Sequence, residues 1–237
     1  MEKLDFRLLN SVLEKINNKL DENVNIENID FSKADAFLFY HNKLQPVKNY
    51  SKINLDILEG IDYQKKKLLK NTEKFVNRKL ANHAVLWGER GTGKSSLVKA
   101  MLPIFYSKGL KLIQVLKEDI LNIFKLYSLI EKESYRFIIF IDDLSFEAED
   151  KEFKEFKTII DGGVFEIPEN VLFYVTSNKK NLVPIKFSDR ESDYSRVSDI
   201  LEEKLSLIDR FGLRLGFYKF DKNTYLKIVE KYAQLYK

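Results

Sequence analysis

Gly88-Glu89-Arg90-Gly91-Thr92-Gly93-Lys94-Ser95 sets glycine, lysine and a hydroxyl at the spacing of a phosphate-binding loop, G-x-x-x-x-G-K-[ST]. Three glycines free the backbone to curl until successive N–H groups face one anion. A helix leaving the loop at Ser96 adds the positive end of its dipole. In such a loop Lys94 reaches the β- and γ-phosphates and the Ser95 hydroxyl ligates Mg²⁺. The expected nucleotide contacts are Gly88, Glu89, Arg90, Gly91, Thr92, Gly93, Lys94, Ser95 and Ser96.

A second stretch, Phe137-Ile138-Ile139-Phe140-Ile141-Asp142-Asp143, ends an apolar run in two carboxylates. A buried strand that delivers an acid at its C-terminal end puts it where open α/β sheets bind ligands. Asp142 is expected to hold Mg²⁺ through water opposite Ser95, and Asp143 to polarise an attacking water. The competing reading is an acidic turn, with Asp143-Leu144-Ser145 opening a capped helix. ATP and Mg²⁺ are the cofactors these motifs predict, with Ser95 and Asp142 as metal ligands.

Both motifs need a strand to present them and a helix to carry the chain away. Short apolar runs at residues 84–87, 110–116, 137–141, 171–176 and 213–220 read as buried strands. Helical patterns at residues 95–106, 118–131, 151–160 and 197–210 alternate with them. Strands without polar alternation, separated by helices, predict an α/β fold with a five-stranded parallel sheet covered on both faces. Pro103 is expected to kink or shorten its helix. Ahead of the sheet, residues 1–20 carry Leu4, Leu8, Leu9, Val12, Leu13, Ile16 and Leu20 in an amphipathic pattern, and residues 63–80 form a second helix. A last amphipathic helix runs from about 222 to 236. The expected domains are an N-terminal extension with a helical start over 1–50, a nucleotide-binding domain over 51–221, and one helix of a truncated or missing lid over 222–237.

Composition narrows the function classes by exclusion. At 237 residues and 44% hydrophobic content the chain buries a sizeable core. No apolar run approaches a membrane span, and the charged N-terminus lacks the apolar centre of a signal peptide. The chain has no cysteine, which excludes thiolate metal sites and fits the cytoplasm, and its two histidines exclude a His-rich centre. A net charge of +4 does not argue for nucleic acid by itself. It hides a division, however. Lys65, Lys66, Lys67, Lys70, Lys74, Arg78 and Lys79 crowd the helix before the first strand, and Glu147, Glu149, Asp150, Glu152 and Glu155 follow Asp143. These read as solvated helix faces or as opposite faces that dock identical subunits.

With both motifs in place, residues 45–237 resemble an AAA+ ATPase, in particular a bacterial group of stand-alone AAA+ proteins classed as a domain of unknown function. Leu55-Asp56-Ile57-Leu58-Glu59-Gly60-Ile61-Asp62-Tyr63-Gln64 resembles that group's segment ahead of the first strand, followed by Asn71-Thr72-Glu73-Lys74-Phe75. The resemblance implies adenine contacts at Ile57, Leu58 and Gly60; packing of a helix start on the core is the alternative for these three. Tyr174-Val175-Thr176-Ser177-Asn178 resembles the sensor-1 strand, which puts Asn178 between the metal motifs to orient the hydrolytic water; a plain turn is the alternative. Leu207-Ile208-Asp209-Arg210-Phe211-Gly212 resembles the arginine-finger segment, implying that Arg210 acts in trans in a homo-oligomer; an Arg capping its own helix is the alternative.

Three departures from the family pattern bear on mechanism. Asp143 stands where most AAA+ enzymes carry Glu, and no aromatic-glycine pore loop replaces Lys117-Glu118-Asp119-Ile120. Only one helix follows the last strand. The long polar stretch over 184–199 is a candidate partner contact. The expected function is hydrolysis of Mg-ATP coupled to remodelling or assembly of a protein or nucleic-acid client, with ADP as product and no membrane partner. A nucleotide-gated binding switch with little turnover is the first alternative, and a small-molecule P-loop kinase the second.

Overall fold

Strand and helix boundaries come from a computed structural model, which describes residues 29–145, 151–162, 166–178 and 207–235. The expected helix over 1–20, the polar stretch over 184–199 and the first part of the helix over 197–210 lie outside the described residues. The sheet and its helices belong to the compact unit Ser32–Lys237.

The apolar run Arg136–Ile141 forms strand β5, buried from Phe137 onward, at the middle of one sheet. Its companions are β1 (Ala36–Tyr40), β2 (Lys43–Val47), β3 (Ala84–Gly88), β4 (Leu110–Val115), β6 (Val171–Ser177) and β7 (Leu213–Phe217). They stand in the order β2-β1-β4-β5-β6-β3-β7. All pairs are parallel except β1 with β2. All five expected strands are present, but the sheet has seven.

The two additional strands make an edge hairpin. Its turn, His41-Asn42, takes left-handed backbone at both residues (φ 47° and 59°), the geometry whose twist matches paired strands. The buried carboxylate of Asp119 accepts the His41 N–H at 3.0 Å, which ties the turn to the loop after β4. Pro46 is tolerated because β2 is the edge strand. Residues 36–47, expected within the extension 1–50, thus belong to the sheet.

Among the described residues five helices flank the sheet: α1 (Asp62–Val76), α2 (Lys94–Phe105), α3 (Ile123–Ile130), α4 (Lys151–Asp161) and α5 (Lys222–Leu235). The helix expected over 118–131 divides into a 3-10 turn, Lys117–Asn122, and α3. Asp119 sits in that turn, where its carboxylate also receives the Asn122 amide, and a regular helix would draw it off the hairpin. α2 continues through Pro103 for two more residues and passes into a 3-10 turn that Gly109 ends with φ 82°. Among the described residues no helix is long and apolar enough to cross a membrane.

Beneath α1 the fully buried Tyr174 hydroxyl meets the Thr72 hydroxyl at 2.8 Å and receives the Asn71 amide at 3.1 Å. This pins α1 to β6, the strand that separates β3 from β5. His83, just before β3, accepts the Phe173 N–H on Nδ1 at 3.1 Å and meets the Phe173 ring edge-on. Burial pushes its pKa down to about 4. An unfolded chain takes up this proton near the ordinary value of about 6.5, so stability is full above that value and is lost as pH falls towards 4. Between pH 7 and 5 the loss from this residue is expected to be about 2 kcal/mol. Urea denaturation at the two pH values checks it: His83→Asn, which keeps an acceptor and cannot be protonated, should remove that difference.

Candidate functional site

β3 enters the phosphate loop through Gly88, whose φ of 127° no side-chain-bearing residue adopts readily. The backbone of Phe217 on β7 lies so close that a Cβ here would sit 1.9 Å from its carbonyl oxygen, and the Glu89 N–H donates to that oxygen at 3.0 Å. The loop is thereby welded to the neighbouring strand before it turns. The buried Thr92 hydroxyl then donates to the Glu89 carbonyl at 2.7 Å, and Gly93, with φ 89°, starts α2.

Lys94 occupies the first position of α2 and is 6% exposed. Its Nζ donates to the carbonyls of Gly88 (2.9 Å) and Glu89 (2.6 Å), which holds the amine over the mouth of the loop. Burial pulls its pKa down, while the charges of Asp143, Asp142 and Glu89 pull it back up.

β6 lies between β3 and β5, so its end faces both motifs. The Ser95 hydroxyl donates to Asp142 Oδ1 at 2.5 Å, and the Thr176 hydroxyl donates to the same oxygen at 2.5 Å. Thr176 Oγ1 in turn accepts the Asp143 N–H at 2.9 Å. Asp143 has left-handed backbone, φ 52°, and its carboxylate receives the Asn178 amide at 2.5 Å. Loop, acids and amide meet around a cavity of about 300 Å³ lined by Arg90, Gly91, Gly93, Lys94, Ser95, Ser96, Asp142, Asp143, Thr176 and Asn178. Thr176 is absent from the sequence-based site; its only signal there is its place two residues before Asn178. Ser95 and Asp142 converge as a hydroxyl and a carboxylate, the hard oxygen set that suits Mg²⁺ shared with phosphates and water.

A second cavity, about 170 Å³, shares Gly91, Gly93 and Ser96 with the first. Its apolar walls are Ile57, Leu58, Ile61, Phe220 and Ile228, with the Tyr232 ring beside them. These suit a flat heteroaromatic base held next to a phosphate chain. Gly60 does not line it: with φ 74°, it lets α5 approach until a Cβ would lie 2.6 Å from Thr224 Cγ2. Glu59 and Lys231 form an ion pair that fastens the same segment to α5. Gly88 and Glu89 shape the loop without lining either cavity. Arg210, more than half exposed, pairs its Nε with Asp161 Oδ1 at 2.7 Å and lines neither cavity.

A family model described as "Protein of unknown function (DUF815)" matches residues 32–237. No curated protein matches the chain. Among solved structures, a RuvB variant from Thermotoga maritima is similar at a TM-score of 0.51 and 17% identity, over 77% of this chain and 53% of that one. The Aeropyrum pernix ORC1 protein, solved in complex with DNA, is similar at a TM-score of 0.51 and 16% identity, over 76% and 50%. The chain spans about half the length of these two structures. At this identity the likeness establishes the fold, and it bears out the expected P-loop α/β architecture.

Proposed function

We propose that this chain, which belongs to the family described as "Protein of unknown function (DUF815)" and has the AAA+ fold, binds Mg-ATP and hydrolyses it to ADP. The observation that carries the reading is the meeting of Lys94, Ser95, Asp142, Asp143 and Asn178 around one cavity beside an apolar slot. Bound Mg²⁺ would neutralise charge on the phosphates and be held by Ser95 and, through water, Asp142. Lys94 and the loop N–H groups position the phosphate chain, and the 57–61 segment with α5 holds the base. Asp143, steadied by the Asn178 amide, orients the attacking water and takes its proton. Coupling of this cycle to remodelling or assembly of a client follows the family resemblance.

Arg210 is assigned to a neighbouring copy's γ-phosphate. Its exposure and its place away from its own chain's cavities support that role, and Asp161 holds the guanidinium in the single subunit. ATP turnover per subunit is expected to rise with protein concentration, and Arg210→Ala to lower it about a thousandfold or more. Concentration-independent turnover that survives Arg210→Ala would show that the site is complete within one chain.

Thr176 acts as a positioning residue, because one hydroxyl both restrains Asp142 and caps the N–H of Asp143. Thr176→Val keeps the shape and removes both bonds. Turnover at saturating ATP is expected to fall by about 10- to 100-fold, with nucleotide affinity within about threefold of wild type, and Thr176→Ser to restore it. Equal losses in the Val and Ser variants would assign Thr176 a packing role only.

A second reading is favoured by one observation. Asp143 is a methylene shorter than Glu and rests on left-handed backbone, which suits a nucleotide-gated switch with little turnover. Stoichiometric ATP binding with no phosphate release in single-turnover measurements would select it.

A further inference from the structure

α1 turns one face to the core and a different chemistry to solvent. Leu68, Asn71, Thr72, Phe75 and Val76 are buried, while Lys66, Lys67, Lys70 and Lys74 are exposed, followed past the helix end by exposed Arg78 and Lys79. Lys66, Lys70 and Lys74 recur every fourth residue, which stacks their charges about 6 Å apart along one side of the helix. Glu73 is the only acid between Tyr63 and Leu80. Among the described residues no carboxylate forms an ion pair with any of these six cations; the ion pair on this helix is Lys65 with Asp62.

The row runs into a cavity at the N-terminal edge of the sheet, remote from the phosphate loop. Arg78, Lys79, His83 and Arg136 line it, in a volume of about 450 Å³. Arg136 donates to the Glu169 carbonyl at 2.6 Å and lies over the Phe75 ring, yet its Nε is buried without a hydrogen-bond partner. Burial first, and then the charge of nearby Arg78, lower the hold of Arg136 on its proton, against a smaller opposing effect of Glu169. Two guanidiniums brought together in this way are stabilised by an anion. The adjoining cavity, about 470 Å³, carries Glu131, Glu133 and Glu166 as well, so an anionic strand would follow α1 to Arg78 and go no further.

We propose that the exposed face of α1 and the cavity at its C-terminal end bind the phosphodiester backbone of a nucleic acid without reading its sequence. A row of lysines is matched to phosphates as point charges, with few planar forks for reading bases. A nucleic acid also releases condensed counterions when such a row docks, a gain that an acidic peptide, held by weak exposed ion pairs, does not offer. An anionic bilayer fits poorly, because surface-bound helices pair their cations with a broad apolar face, and here that face is buried in the core.

The test is a fluorescence-anisotropy titration of the full chain, in the absence of nucleotide, against labelled duplex and single-stranded DNA of about 30 residues at 50 to 200 mM NaCl. Labelled poly-glutamate and phosphatidylserine vesicles serve as competing occupants. The comparison protein carries Lys66→Gln, Lys70→Gln, Lys74→Gln and Arg78→Gln together, with circular-dichroism melting to verify its fold. Expected is salt-dependent binding of one or both DNAs, weakened at least about tenfold by the fourfold substitution, with the slope of log K against log salt reduced by about 3 to 4. The duplex and single-strand arms decide which form is taken. Failure of both DNAs to bind at 50 mM salt, equal binding by the substituted chain, or binding confined to poly-glutamate or vesicles overturns the proposal.

Discussion

Lys94→Ala is expected to abolish ATP binding at concentrations that saturate the wild type, a loss of at least about 100-fold in affinity. The amine is nearly buried, and the carbonyls that hold it are neutral. On exchange of the neutral carbonyls for phosphate oxygens the ammonium faces an ionised acceptor, and bonds to charged groups are worth about 1.5–3 kcal/mol each, so losing two of them accounts for a hundredfold or more. The acids nearby sharpen the expectation. Asp142 and Asp143 repel a phosphate chain, and Lys94 lines the same cavity close enough to feel both charges. Without it the cavity keeps two carboxylates and the more exposed Arg90. Calorimetric titration of ATP into the two proteins measures the effect, with Lys94→Arg separating charge from geometry. Binding by Lys94→Ala within about threefold of wild type would remove the phosphate-loop reading altogether.

The parts of this site that could be read directly from the chain are those whose physics is local. A loop that must curl around an anion needs glycine at fixed offsets, so Gly88 and Gly93 announce themselves by spacing. A strand buried on both faces shows no alternation, so Phe137–Ile141 stands out as a continuous apolar run, and its two terminal acids with it. The edge hairpin is different. Ala36–Tyr40 is as short and apolar as a buried helix segment, its turn is His-Asn without glycine, and Pro46 argues against a strand unless the partner edge is known to be open. Whether an edge is open is a property of the assembled sheet.

Thr176 and the α5 wall of the apolar cavity were invisible for a related reason. A threonine at the end of a strand reads as a strand former, and its hydroxyl gains a role only because β6 is inserted between β3 and β5. Ile228 and Tyr232 lie well over a hundred residues from Gly93, on a helix whose own pattern shows only amphipathicity. Gly60 is the converse case. Its family resemblance points at the base, whereas a close approach of α5 is what requires the missing side chain.

Glycine packing also yields the largest stability effect expected for a single methyl group. Gly88 and Gly91 both have positive φ, at 127° and 73°, so each incurs backbone strain on gaining a Cβ. They differ in surroundings. A Cβ at Gly91 meets nothing within 4 Å, whereas at Gly88 it would overlap the Phe217 carbonyl oxygen at 1.9 Å and the carbonyl carbon at 2.8 Å. Those are backbone atoms of β7 and cannot rotate away, so relief requires β3 and β7 to part and the Glu89 N–H to lose its acceptor. Gly91→Ala is expected to cost about 1–2 kcal/mol, a melting-temperature drop of a few degrees for a chain of this size. Gly88→Ala is expected to exceed about 4 kcal/mol and to lower the melting temperature by more than about 10 °C, or to leave the protein insoluble. Parallel thermal melts of the two variants without nucleotide compare a position that is strained but open with one that is more strained and also blocked by backbone. If Gly88→Ala melts within about 3 °C of Gly91→Ala, the loop is not anchored on β7 as described.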